Sequence, residues 1–214
     1  MKVNTIENKQ SFHGNLISNK LTLAQRKLFD MNKPNIEKAL KDLPLNVTVE
    51  SANSNSFLIT SDGYYSKGLS YLVQNKDFVK TVNHLISETM KKKDANEKML
   101  VANEILNYVK LHIYNVMTGK FKEASEIHKK IAKLGVENFD IYKSMTNFKI
   151  TNVPLGTGFS LFKNSLKYRF YRFFVRKSPE EKKLYKMNKV YIKDLKAKKI
   201  NTKPPLEINM SGVF

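Results

Sequence analysis

The tightest constraint on the fold is a three-residue link, Thr118-Gly119-Lys120, set between two segments with helical apolar stripes. Before it, Val101, Ala102, Ile105, Val109, Ile113 and Val116 recur at helical spacing and mark one face of a helix ending near Met117. After it, Ala124, Ile127, Ile131 and Leu134 do the same from about Phe121 onward. So short a link leaves the two helices little choice but to run antiparallel, and Gly119 suits a left-handed C-terminal cap. The spacing therefore predicts a helical hairpin over about residues 95–134. Asp94-Ala95-Asn96-Glu97 reads as a capping box at its start, with Asp94 as the cap, and Gly135 as its stop. A separate helix is expected over 77–90, with Phe78, Val82, Leu85 and Ile86 on one face. The run Lys91-Lys92-Lys93 would then suit the negative end of that helix.

Upstream the pattern changes period. Val47 and Val49 alternate with Thr48, which predicts a strand over 46–50. The polar turn 52–55 leads to a second strand over 56–60. Asp62-Gly63 is the pair preferred in two-residue hairpin loops, where both positions need positive φ. A third strand is expected over 64–73, with Gly68 marking a bulge or bend. Three short strands make a small antiparallel meander, about 45–73, with one face needing cover from helices. A short strand over 12–17 and a helix capped by Thr22 precede it. Leu23, Leu28 and Phe29 share one face of that helix, Pro34 is expected to break it, and 35–40 to restart it. The fold class expected is α+β and mainly helical: the meander packed on helices, the hairpin, and a basic helical C-terminal region.

The segment GKFKEASEIHKKIAKLG, with Gly119, Phe121 and Ala124 at matching offsets, resembles the second helix of a tetratricopeptide repeat. The preceding helix lacks the usual Leu-Gly and Tyr pattern, and His128 and Ile131 stand where an aromatic residue and Ala are commonest. The resemblance spans about one repeat length and implies close helix packing at Ala124 and Gly119, in a unit that needs neighbours to cover its faces.

Charge is distributed unevenly. Lys and Arg total 38 against 19 acidic residues, a formal charge of +19, with pI near 9.8. Residues 151–214 carry 15 basic residues against Glu180, Glu181, Asp194 and Glu207, so +11 of the +19 falls there and +8 in the first 150. Such an excess attracts nucleic acid and acidic surfaces, although A-rich codon usage would also raise Lys and Asn. The chain has no cysteine, which excludes disulfides, thiol catalysis and cysteine zinc sites. Its start, MKVNTIENKQSF, lacks the apolar core of a signal peptide, and no stretch reaches the ~20 apolar residues of a spanning helix. A cytoplasmic protein is expected. Pro154, Gly156 and Gly158 in NVPLGTGFS mark a linker over 151–160 between an α+β domain, 1–150, and a basic helical region, 161–214, with a flexible tail.

Within that region, LFKNSLKYRFYRFFVRK places Phe162, Leu166, Phe170 and Phe173 along one face at 100° per residue. Arg169, Arg172 and Arg176 line one flank and Lys163 and Lys167 the other. Ser178-Pro179-Glu180-Glu181 then starts a second helix, running to about residue 199. Ser178 is its cap, Pro179 sits at the first helical position, and Glu181 completes a capping box. Leu184, Met187, Tyr191 and Leu195 lie on one side of this helix and many lysines on the other. The tail with Pro204-Pro205 is expected to be extended or disordered.

Three roles compete for this segment. The Phe face is packed core, or cations hold phosphates while aromatic rings stack, or the Phe face docks on a partner or membrane interface. The candidate anion-binding residues are Lys163, Lys167, Arg169, Arg172, Arg176, Lys177, Lys182, Lys183 and Lys186, and the candidate docking residues are Phe162, Phe170 and Phe173. Nucleic acid ranks first as partner, a protein second and an anionic membrane surface third, with no small-molecule substrate evident. No catalytic, cofactor or metal motif is found. His13, His84, His112 and His128 show no metal-binding helix spacing; His112 and His128 could face each other across the hairpin, but ordinary core or surface histidines are the commoner outcome. The expected function is non-enzymatic binding of an anionic partner, with a structural protein docking on another protein as the alternative.

Overall fold

In the computed structural model the described residues are 13–145, 148–151, 157–197 and 206–210. The N-terminal segment, most of the compositional linker, Pro204-Pro205 and the expected end of the last helix at 199 lie outside them. The chain divides into two compact units, Met1–Asn96 and Glu97–Phe214. The linker at 151–160 thus falls inside the second unit, while the division between units falls within a helix. The fold is α+β and mainly helical, and among the described residues no helix is long and apolar enough to cross a membrane.

In the first unit, β1 (Leu16–Asn19), β2 (Leu45–Asn53), β3 (Ser56–Gly63) and β4 (Ser66–Gln74) form one sheet in that order. The meander β2–β4 is antiparallel as its alternation predicts, and β1 joins it in parallel. The parallel edge is possible because α1 (Leu23–Leu40) supplies the crossover between β1 and β2. Thr22 caps α1 in a capping box with Gln25. Gln25 is fully buried and also donates to Asn53 O at 2.8 Å and Ser56 O at 3.0 Å, which pins the turn between β2 and β3.

Two expectations here are corrected. Pro34 does not break α1. The carbonyl it leaves unpaired belongs to Asp30, and both residues are exposed, so water can replace the missing bond. Asp62-Gly63 is not the hairpin loop either, because Gly63 pairs with Ser66 and the loop is Tyr64-Tyr65. Gly63 serves close approach instead: a Cβ there would lie 2.1 Å from Pro44 O. Gly68, at φ +60°, takes the expected irregularity in β4, where a residue with a Cβ would be strained.

The helix α2 (Phe78–Met117) runs uninterrupted for 40 residues. The separate helices expected on either side of Asp94 are one, and Asp94 caps nothing. The reason is energetic. An interior Asp or Asn costs less than about 1 kcal/mol relative to Ala, whereas a break would orphan four N–H and four C=O groups. No Gly or Pro occurs within α2 to force one. Phe78, Val82, Leu85 and Ile86 are buried with Phe29, Ile36 and Leu40 of α1 against Val47, Val49, Phe57 and Ile59 of the sheet. Two lysines of the run reach loop carbonyls rather than a helix end, Lys92 Nζ donating to Tyr65 O at 3.1 Å and Lys93 Nζ to Asp42 O at 2.8 Å, while Lys91 pairs with Glu88 one turn back.

The second unit contains the helical hairpin. At Gly119, φ +75°, the chain closes α2 with N–H bonds from Gly119 to Val116 O and from Lys120 to Asn115 O, the pattern of a Schellman cap. The return helix α3 (Phe121–Glu137) passes through Gly135 instead of stopping there. Gly135 is buried because the rings of Tyr142 and the methyls of Leu184 press on it: a Cβ would meet Tyr142 Cδ2 at 2.8 Å and Leu184 Cδ2 at 3.1 Å. After α3 come two elements without a sequence signal, α4 (Phe139–Ser144) and β5 (Phe148–Thr151). In parallel with β5 lies β6 (Leu206–Asn209), so part of the expected flexible tail is a strand. Ile208 and Met210 are buried. Two further helices, α5 (Thr157–Phe174) and α6 (Pro179–Ala197), complete the unit.

Candidate functional site

The helix α5 has two apolar-looking faces, and polar anchors decide which one turns inward. Tyr168 is buried against Val116 and Ala124, with Phe121 and Tyr171 beside it. Asn164 Nδ2 donates to Met117 O at 2.5 Å, satisfying a carbonyl at the end of α2. Arg172 donates to Ser125 Oγ at 2.7 Å and forms an ion pair with Glu181. These residues share the inward arc, so the opposite arc faces solvent.

That outward arc carries the Phe residues. Phe162 is 64% exposed, Phe170 70% and Phe173 83%; Phe159, Leu166 and Phe174 are exposed with them. At 100° per residue the six occupy about 120° of the helix surface. Hence the packed-core role does not apply to this ridge. The rings touch one another edge to face, Phe170 to Phe174 at 5.1 Å and Phe173 to Phe174 at 5.5 Å between centroids. Leu166, Phe170 and Phe174 also border a groove of about 610 Å³ with Phe121, Tyr171 and Val175, and Lys167 at its rim.

The candidate cations separate into two groups. Lys163, Lys167 and Arg169 are exposed on α5, Arg176 and Lys177 just beyond it, and Lys182, Lys183 and Lys186 on α6. Arg172 is engaged internally, its side chain only 13% exposed. Periodicity put it on the same rail as Arg169, but the acid that claims it lies on the next helix. Glu181 has a double role. The expected capping box is present, with Ser178 N–H donating to Glu181 Oε2 at 2.7 Å and Glu181 N–H to Ser178 Oγ at 3.2 Å. Its other oxygen, Oε1, meets Arg172. A Glu in a capping box that follows an Arg-rich helix is a weak sequence signal for such a pair.

His112 and His128 do face each other across the hairpin, with ring centroids 5.4 Å apart. His112 Nδ1 donates to Ala124 O at 3.0 Å, which fixes its tautomer because a carbonyl only accepts. Among the described residues no group of three or more acidic or histidine side chains is placed to hold a metal ion. The His128 side chain is 46% exposed and lies 3.6 Å from Glu181 Oε1, yet its partial burial, reinforced by neighbouring His112 and opposed by Glu181, pushes the imidazole down from 6.5 to about 4. Burial also holds His112 below its ordinary value, and raises the Tyr168 phenol to about 12.

Both imidazoles therefore resist protonation in the fold more than in the unfolded chain. The His128 contribution to stability is complete above 6.5 and is lost as pH falls toward about 4, and that of His112 is lost in the same direction. The urea midpoint of the second unit is expected to fall between about pH 7.5 and about pH 5, and His128→Gln to flatten that fall. An identical midpoint at both pH values in the unsubstituted protein would contradict this account.

The site thus defines a class, an exposed amphipathic helix with cationic margins on an α+β scaffold. No family model matches the chain, and neither the curated proteins nor the solved structures give a significant match.

Proposed function

We propose that the protein is a non-enzymatic attachment protein that engages an anionic partner through α5, whose Phe ridge docks while the neighbouring cations meet negative charge. The observation that carries this reading is the exposure of Phe162, Phe170 and Phe173 together on one face. A contiguous apolar patch on a protein surface marks an interaction site far more often than scattered single residues do. Lys163, Lys167, Arg169, Arg176 and Lys177 surround it, which favours a partner of opposite charge. A cytoplasmic setting belongs to this reading, and the cysteine-free sequence permits it.

Nucleic acid as the anionic partner draws support from a separate feature. Lys182, Lys183, Lys186, Lys189 and Lys193 are exposed on α6, a spacing that would let several reach phosphates and release counterions. On that reading Lys→Gln changes in α6 weaken oligonucleotide binding, with little dependence on base sequence.

A small panel of anionic probes tests the proposal: single-stranded and duplex oligonucleotides, and vesicles containing phosphatidylglycerol. The full chain is expected to bind at least one of them at about 50 mM salt, with affinity falling at least about a hundredfold by about 500 mM. Failure to bind any probe at low salt, or affinity indifferent to salt, would overturn it.

A further inference from the structure

We infer that the partner of α5 is an anionic lipid surface, with the helix lying in the plane of the interface. This rests on the attachment role proposed above and names its target. The arc holding Phe159, Phe162, Leu166, Phe170, Phe173 and Phe174 contains a single hydrogen-bonding side chain, Lys163 near its margin. Specific protein interfaces carry about one hydrogen bond per 100–200 Å², and this arc offers almost none. Bilayer hydrocarbon asks for none. Nucleic-acid stacking needs ring faces presented separately to successive bases, whereas Phe174 is flanked edge to face by both Phe170 and Phe173.

The margins of the arc are cationic. Lys163 and Lys167 stand on one side of the arc and Arg169 on the other, all exposed. Long cationic side chains at the edges of a buried apolar face reach back to headgroup phosphates while their stems stay in apolar surroundings. Within α5 there is no Asp or Glu to repel an anionic surface. The helix is 18 residues long, about 27 Å at 1.5 Å per residue, and its Phe residues run along it rather than around it. That geometry suits a helix lying on a bilayer.

The 214-residue chain contains no tryptophan, so Phe170→Trp in this chain gives a single tryptophan reporter at an exposed position. With vesicles containing about 30% phosphatidylglycerol, its emission is expected to shift to the blue and to be quenched by lipids brominated along the acyl chain. Each Lys163→Gln, Lys167→Gln or Arg169→Gln change is expected to lower partitioning about fivefold at low salt. Phe173→Ser should lower it more than tenfold, as about 2 kcal/mol of apolar transfer is lost. Cosedimentation without a blue shift or quenching would overturn the inference, since the ridge would then lie outside the bilayer. Oligonucleotide binding with no vesicle binding would also overturn it and leave the attachment role standing. Binding to neither probe would remove both.

Discussion

Glu181→Ala is expected to cost the second unit about 3–5 kcal/mol, the range found when one partner of a buried ion pair is removed. The reason is what remains behind. The Arg172 guanidinium, 13% exposed, would keep only Ser125 as a partner. The substitution also removes half of the capping box on α6, because Glu181 Oε2 accepts from Ser178 N–H. Domains are stable by about 5–15 kcal/mol, so the loss would be a large share of the total. Amide exchange along α3 and α6 should accelerate, with the first turn of α6 affected most. The paired replacement Arg172→Met with Glu181→Leu is expected to recover much of the loss, since an apolar pair removes the desolvation cost of both charges. If Glu181→Ala leaves the urea midpoint within error, the ion pair is not holding these helices together.

Phe78→Ala is expected to destabilise the first unit by about 3–5 kcal/mol. Phe78 is fully buried, with its ring centroid 4.7 Å from that of Phe57 and 6.3 Å from that of Phe29. It therefore joins α1, α2 and the sheet at one point. Truncation loses the transfer free energy of the ring and leaves a cavity that three different elements would have to close. Exchange in β2 and β3 should rise together with a lower unfolding midpoint. Phe78→Leu should cost less, because it keeps most of the apolar volume. Equal losses for Ala and Leu would point to ring geometry rather than volume.

How far the fold could be read in advance differs by kind of signal. Three local caps read from neighbouring residues are present, although the equally local Asp94–Glu97 box is not. Thr22 with Gln25, Ser178 with Glu181 and Gly119 after α2 all act as caps. Apolar periodicity correctly marked the inward faces at Phe78, Val82 and Leu85 and at Ala124, Ile127 and Ile131. Readings that treated a residue as punctuation fared worse. Pro34, Asp94 and Gly135 all lie inside helices. At each, continuing the helix costs little: the carbonyl freed by Pro34 meets water, Asp94 carries only a weak propensity penalty, and Gly135 makes room for Tyr142 and Leu184. The parallel strands β1, β5 and β6 were illegible as pairs because their partners are distant in sequence.

The basic aromatic segment shows the same division. Its sequence alone determined that α5 is amphipathic, that Phe residues share one face, and that cations stand beside it, because side-chain direction on a helix follows from spacing. Which face would be buried was decided by tertiary structure. Asn164 found a free carbonyl on Met117, and Arg172 found Ser125 and Glu181. Those bonds draw the polar and tyrosine face inward and leave Phe162, Phe170 and Phe173 in solvent. Apolar burial alone would have favoured the reverse. The polar groups that turn inward do so with partners, Arg172 with Ser125 and Glu181 and Asn164 with the Met117 carbonyl, and such pairing depends on residues distant in sequence, which helical spacing does not specify.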